Sequence, residues 1–426
     1  MESRETDYIS IHDKKNKIFL SDRKKFQLLY IIFFTIGLFV SEMILRNKIS
    51  FLSNFIQHQI DPLCEHKTLW INLGNVESLE AMLTLTCIVY NMFNLSASLS
   101  WIFLVTFGIF LNGTLKLFYL SPRPFWVDNT LTPSICAVNY GNPSTSGIIS
   151  YIMYIGFYKI VQLKKNLCQW VKTSTLILAI IGITLVSISR FAGNAHSINQ
   201  LLFGYALAYI LLYIYYDILE IDYNNHEVIQ NLMRNNRYLY IMFAVSFVNL
   251  LINVIHYIAG VNQPPQEILD NIQKFCKYNM FNWFDYESYQ KSCFMLLSSL
   301  AILLIYIEFK FIFNSNFKIF YAFYQNKERM WNNTCCTKTL IRIIICSVST
   351  VIIFRYTFGN VSENFSFFIF MGQLLPSGLL GVYIFIVSRY LMKLLKLTNE
   401  YIEEEMEEPI SVTNKGSPLR SLEKSV

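Results

Sequence analysis

Apolar residues in this chain gather into long blocks separated by short polar, charge-bearing stretches. The blocks run over residues 26–46, 80–96, 98–119, 145–162, 173–190, 197–216, 238–258, 293–313, 340–357 and 365–392. A hydrocarbon core of about 30 Å is crossed by about 20 helical residues, so the pattern predicts an all-α, polytopic integral membrane protein with nine or ten transmembrane helices. The first block is too long, and follows too many charges, for a cleavable signal peptide, and reads as a signal anchor. The chain then divides into a cytoplasmic tail (1–25), a core of six spans (26–216), additional spans (217–393) and a tail (394–426). That last tail carries Glu403-Glu404-Glu405 and Glu407-Glu408 among Ser and Pro, a composition expected to stay solvated and disordered.

Composition agrees with the pattern. The 426 residues are 54% hydrophobic and only 15% charged, against roughly 25% charged for a soluble globular domain. The net charge of +6 lies mainly in the ends and loops, which fits topology determinants and not nucleic-acid binding. Arg4, Lys14, Lys15, Lys17, Arg23, Lys24 and Lys25 mark the N-terminus as cytosolic. The loop with Lys164, Lys165 and Lys172 and the loop with Lys318, Lys327, Arg329 and Lys338 then face the cytosol too. Loops 121–143 and 259–292 fall on the opposite, lumenal or exterior, side. The sequons at Asn360 and Asn364 lie there in a turn too short for modification to be expected.

Nine cysteines show no metal-ligand spacing, and no metal is expected. Cys335-Cys336 have no histidine nearby and read as inert or palmitoylated thiols on the cytosolic side. Cys276 and Cys293 flank part of a lumenal loop and form a candidate disulfide.

The polar residues at the lumenal ends of the blocks carry the chemistry. Lys116 ends an apolar helix, and Pro122-Arg123-Pro124 follows. Ser189-Arg190 ends another, with His196 six residues on, after Phe191-Ala192-Gly193-Asn194-Ala195. Basic residues at membrane borders commonly act as snorkelling anchors. Two guanidiniums, an ammonium and an imidazole on one face, with no matching carboxylate in these stretches, point instead to an anionic ligand. Arginine grips phosphate oxygens bidentately, and lysine acts as a point charge. Pro143-Ser144-Thr145-Ser146-Gly147 precedes a helix whose N-terminus presents free N–H groups to an anion, although Ser144 equally suits a plain N-cap.

The ordered pattern Lys116-x6-Arg123-Pro124, Pro143-Ser144, Ser189-Arg190-x5-His196 resembles the type 2 phosphatidic acid phosphatase (PAP2) and vanadium haloperoxidase superfamily. The resemblance covers roughly residues 80–216 and implies a PAP2-like six-helix bundle within 26–216. Gln200 and Gly204 after His196, together with the additional helices, look more like the glucose-6-phosphatase branch than the lipid phosphatases. The resemblance implies that Lys116, Arg123, Ser144, Thr145 and Arg190 bind phosphate, that His196 is the nucleophile, and that Gln200 orients it. It implies no cofactor. The expected ligand is a phosphorylated lipid or a sugar phosphate, met at a lumenal site in the endoplasmic reticulum or another endomembrane, with the plasma membrane as the alternative. One position departs from the family: Ser146 stands where a histidine protonates the leaving oxygen, and a serine hydroxyl does not supply that proton at neutral pH. The readings are therefore an active phosphatase, a catalytically impaired phosphate-binding relative, and a transporter. His66 and His256 are the stand-in acids to consider.

Overall fold

The computed structural model describes residues 22–61, 70–71, 79–93, 95–134, 136–137, 139–162, 167–218, 264–276, 336–358, 381–395 and 397, with short stretches between 240 and 255 and between 303 and 315. Among them every regular element is helical. The chain runs α1 (Asp22–Ile60), α2 (Leu79–Met92), α3 (Leu95–Tyr119), a single turn α4 (Pro124–Val127), α5 (Thr145–Gln162), α6 (Gln169–Ala192) and α7 (Ile198–Tyr213). After these come α8 (Gln266–Phe275), α9 (Cys336–Phe358) and α10 (Ser388–Leu394). The stretches Lys24–Ile60, Ala97–Lys116, Gln169–Ala192 and Ile198–Ile218 are long and apolar enough to cross a membrane, and the protein is a membrane protein. Of the expected spans, 238–258, 293–313 and 365–392 lie largely outside the described residues, as do His66, His256, Cys293, Cys335, Asn360 and Asn364.

The second and third blocks are separate helices, the first ending at Met92 and the next beginning at Leu95. The first helix differs from expectation, because α1 runs 14 residues past the apolar block 26–46. The reason is tertiary. Beyond Arg46 its polar residues Ser53 and Gln57 bind backbone from elsewhere in the chain and continue the helix. Phe26, Phe33, Met43 and Phe51 stand exposed on its outer face, as a lipid-facing surface requires.

α5 is the centre of the bundle, packed against α3, α6 and α7, while α1 lies along α7. The α5–α7 contact is close because both helices offer glycine. A Cβ on Gly204 would come within 2.8 Å of the Ser144 carbonyl, and one on Gly147 within 3.1 Å of the Leu201 carbonyl. The stretch 143–147 thereby sits directly on the first turns of α7, and the Ser144 N–H donates to the Gln200 carbonyl (3.1 Å).

A second, smaller cluster caps one end of the bundle. Phe125, Trp126, Leu131 and Tyr140 pack with Ile272 and Cys276 around α8. The Asn271 side chain donates to the Trp126 carbonyl (2.9 Å) and the Lys274 ammonium to that of Asn129 (3.0 Å). Cys276 is disulfide-bonded to Cys136, with Cα atoms 5.6 Å apart. Cys276 therefore does not take the candidate partner Cys293. The bond also ties loop 121–143 to the C-terminal end of α8.

Candidate active site

The site is built where three helix ends meet. Lys116 lies in the last turn of α3 and is fully buried. Arg123, buried just before α4, is held by backbone carbonyls: its Nε donates to Asn139 O (2.7 Å) and its Nη1 to Ala195 O (2.7 Å), while Nη2 donates to the Asn139 side chain. Arg190, half-buried, occupies the last turn of α6. The six residues to His196 form a tight turn in which the Ala195 and His196 N–H groups both donate to Arg190 O (3.1 and 3.2 Å). Asn194 supplies the left-handed residue of that turn (φ 55°), a conformation asparagine tolerates better than most. Its side chain is tied to Asp61 (2.5 Å) and to the Thr132 carbonyl (3.1 Å).

His196 is the centre of this arrangement. Arg123 Nη1 lies 3.2 Å from its Nε2, and Gln200 Oε1 lies 3.3 Å from its Nδ1. A guanidinium only donates, so Nε2 must be the unprotonated nitrogen and the Nδ1–H faces Gln200. The glutamine amide is oriented independently. Its Nε2 donates to Pro122 O (2.8 Å), an acceptor only, which turns Oε1 toward His196 and the Ser197 N–H (3.2 Å). Burial first, then the positive charges of Arg123, Lys116 and Arg190, hold the imidazole well below its ordinary 6.5, against the opposing bond to Gln200. Three cations thus bear on one buried, neutral imidazole.

The second motif is arranged more plainly. Ser144 Oγ accepts from the Gly147 N–H (3.2 Å), the capping role. Thr145 Oγ1 donates to Asn112 Oδ1 (2.7 Å), and the Asn112 amide donates to Pro143 O (2.8 Å). Ser146 is buried in the first turn of α5.

α1 contributes residues that sequence reasoning missed. The Gln57 amide donates to His196 O (3.1 Å) and Phe191 O (3.0 Å), and Ser53 Oγ accepts from the Ile198 N–H (3.1 Å). Glu42 is a buried carboxylate, paired with Arg46 (2.9 Å) and accepting from the Asn142 side chain (2.6 Å). A carboxylate at such depth was a signal worth following, because charges inside spans are rare without a partner or a role.

The family model described as PAP2 superfamily matches residues 97–222, which contain all three motifs and Gln200. The chain matches no curated protein and no solved structure. The matched segment spans α3 to α7, the helices whose ends converge on His196, and over these residues the chain is similar to the PAP2 superfamily.

Proposed function

We propose that this protein is a membrane-embedded phosphatase that hydrolyses a phosphomonoester, a lipid phosphate or a sugar phosphate, through a phosphohistidine intermediate. The site faces the lumen or exterior. The observation that carries this reading is the setting of His196: Arg123 Nη1 lies 3.2 Å from its Nε2 and Gln200 Oε1 3.3 Å from its Nδ1, and the charges of Arg123, Lys116 and Arg190 all bear on the buried ring. A phosphate entering there draws Arg123 Nη1 off the imidazole lone pair. The same step that binds the substrate therefore exposes the nucleophile. The three cations stabilise charge on the equatorial oxygens, and Gln200 keeps the Nδ1 proton in place while Nε2 attacks. A glutamine here favours the glucose-6-phosphatase-like branch. The face is assigned from the lysine and arginine asymmetry, supported by the disulfide at Cys136–Cys276, a bond that belongs to oxidising compartments.

Ser146 favours a second reading, a phosphate-binding relative with impaired turnover, because general acid catalysis is worth roughly 10²–10⁴-fold. Rapid acid-free quenching of the purified protein with a radiolabelled phosphate ester separates the two. The phosphatase gives an alkali-stable, acid-labile phosphoprotein that is lost in His196→Ala. A protein that binds vanadate but never becomes labelled is the impaired relative.

A further inference from the structure

Asn139 lies between the first two motifs and is bound to a cation of the first by both its main chain and its side chain. Its carbonyl accepts from Arg123 Nε (2.7 Å), and its Oδ1 accepts from Arg123 Nη2. Nη1 is the nitrogen turned toward Ala195 O (2.7 Å) and His196 Nε2 (3.2 Å). A planar guanidinium fixed at three points does not swing, so Asn139 decides where Nη1 stands against the imidazole. Two residues on, the chain passes the other ring nitrogen. A Cβ on Gly141 would lie 2.4 Å from Gln200 Nε2, in the amide whose Oε1 faces His196 Nδ1. Residues 139–141 therefore run beside the partners of both nitrogens. Their backbone is fixed by the Gly141 N–H, which donates to Ser121 O (2.8 Å), and by the Tyr140 ring, edge-on to Trp126 with centroids 5.6 Å apart.

The orientation of the Asn139 amide follows from its partner. A guanidinium only donates, so Oδ1 faces Arg123 and the amino group is turned elsewhere. Asn139 is 1% exposed, and its Nδ2 has no acceptor among the described residues. An amide N–H shut away from water is costly to leave unbonded. The acceptor this environment favours is an anionic oxygen, because Lys116, Arg123 and Arg190 all direct positive charge at the same place. The buried carboxylate of Glu42 is already committed, to Arg46 and to the Asn142 side chain. Amide geometry puts Nδ2 about 2.2 Å from the oxygen that Arg123 holds, so an anion gripped by Arg123 comes within its hydrogen-bond reach.

Resting on the phosphate site proposed above, we infer that Asn139 is a further phosphate-binding residue: its Oδ1 locks Arg123 in place, and its Nδ2 donates to an oxygen of the phosphoryl group that Arg123 grips. One amide then couples the cation to the anion, and the ligand gives the buried amino group its acceptor. A neutral donor adds hold on the oxygens without a fourth positive charge beside His196.

Orthovanadate is the probe, a tetrahedral oxyanion whose binding needs no turnover. Its affinity is measured by calorimetry on the full chain in detergent for the wild type, Asn139→Ala, Arg123→Lys and the double variant. Loss of a hydrogen bond to a charged group is expected to weaken vanadate binding in Asn139→Ala by roughly 10–100-fold. Arg123→Lys keeps the charge but not the fork that Asn139 holds, so a residue acting only through Arg123 has nothing left to lose there. The donor role predicts a further loss of at least ~5-fold for Asn139→Ala in that background. A loss confined to the wild-type background makes Asn139 a holder of Arg123 alone and overturns the inference. The vanadate-bound structure of the unaltered protein tests it without a variant: Nδ2 is expected within ~3.2 Å of a vanadate oxygen, and a separation beyond ~4 Å overturns it. Unchanged affinity in Asn139→Ala overturns the role of Asn139 and leaves the phosphatase reading standing. A wild-type protein that binds no vanadate overturns both.

Discussion

The contact between Gly141 and Gln200 gives a perturbation whose effect is calculable. A Cβ at Gly141 would lie 2.4 Å from Gln200 Nε2, 2.5 Å from Oε1 and 2.6 Å from Cδ. Van der Waals contact begins near ~3.5 Å, so in Gly141→Ala the glutamine amide must retreat by about 1 Å. It is the end of a flexible side chain and can move, but three hydrogen bonds go with it: to Pro122 O (2.8 Å), from the Ser197 N–H (3.2 Å) and from the His196 Nδ1–H (3.3 Å). At ~0.5–1.5 kcal/mol each, the bonds total about 1.5–4.5 kcal/mol. Part of this falls on stability and part on the orientation of His196, so kcat/KM is expected to drop by roughly 10–100-fold. Gln200→Ala removes the same bonds and leaves room for the methyl group. The two changes act through one side chain and therefore do not add: in the Gln200→Ala background, Gly141→Ala costs less than ~0.5 kcal/mol. The assay is kcat/KM and thermal melting in detergent for the wild type, both single variants and the double. Equal factors for Gly141→Ala in both backgrounds would refute the argument, because the glycine would then matter for something other than Gln200.

Three further outcomes follow from the geometry. Gly204→Ala places a methyl 2.8 Å from the Ser144 carbonyl and forces backbone apart at the α5–α7 contact, so it should lower stability by about 1–3 kcal/mol, read as an earlier thermal transition; an unchanged melt would contradict it. The depressed basicity of His196 has a defined sign: above 6.5 it is neutral folded and unfolded, and below 6.5 the unfolded chain takes up a proton that the folded one refuses. Stability is therefore lost as pH falls from 6.5 toward the lowered folded value, while the acidic limb of kcat/KM, corrected for substrate ionisation, lies below 6.5; a limb assigned to His196 at or above that value would contradict it. Non-reducing peptide mapping should recover Cys136 linked to Cys276, and Cys136→Ser should destabilise the protein by ~2–4 kcal/mol.

The three motifs were legible in sequence because each is local and sits at the end of an apolar block, where a charge has to be explained. The same locality gave the split between α2 and α3 and the placement of α5, α6 and α7. What escaped was long-range. The extension of α1 depends on Ser53, Gln57 and Asp61 meeting loop backbone and side chains more than 130 residues away, and no apolar period records such bonds. The partner of Cys276 was not legible for the same reason: Cys293 was only a candidate by nearness in sequence, whereas the cluster of Phe125, Trp126 and Ile272 brings Cys136 alongside. The bond that Ser144 Oγ accepts from the Gly147 N–H is the cap that its position before a helix allowed, and it is compatible with a second role toward an anion.

Phosphate release by the purified full-length protein, measured against a panel of lipid and sugar phosphates with His196→Ala as control, tests the central claim most directly. The account predicts release from at least one class of substrate by the wild type and a loss of more than ~10³-fold in His196→Ala, as removal of a covalent nucleophile requires. Equal rates in the two proteins, or no release from any substrate by the wild type, would contradict it.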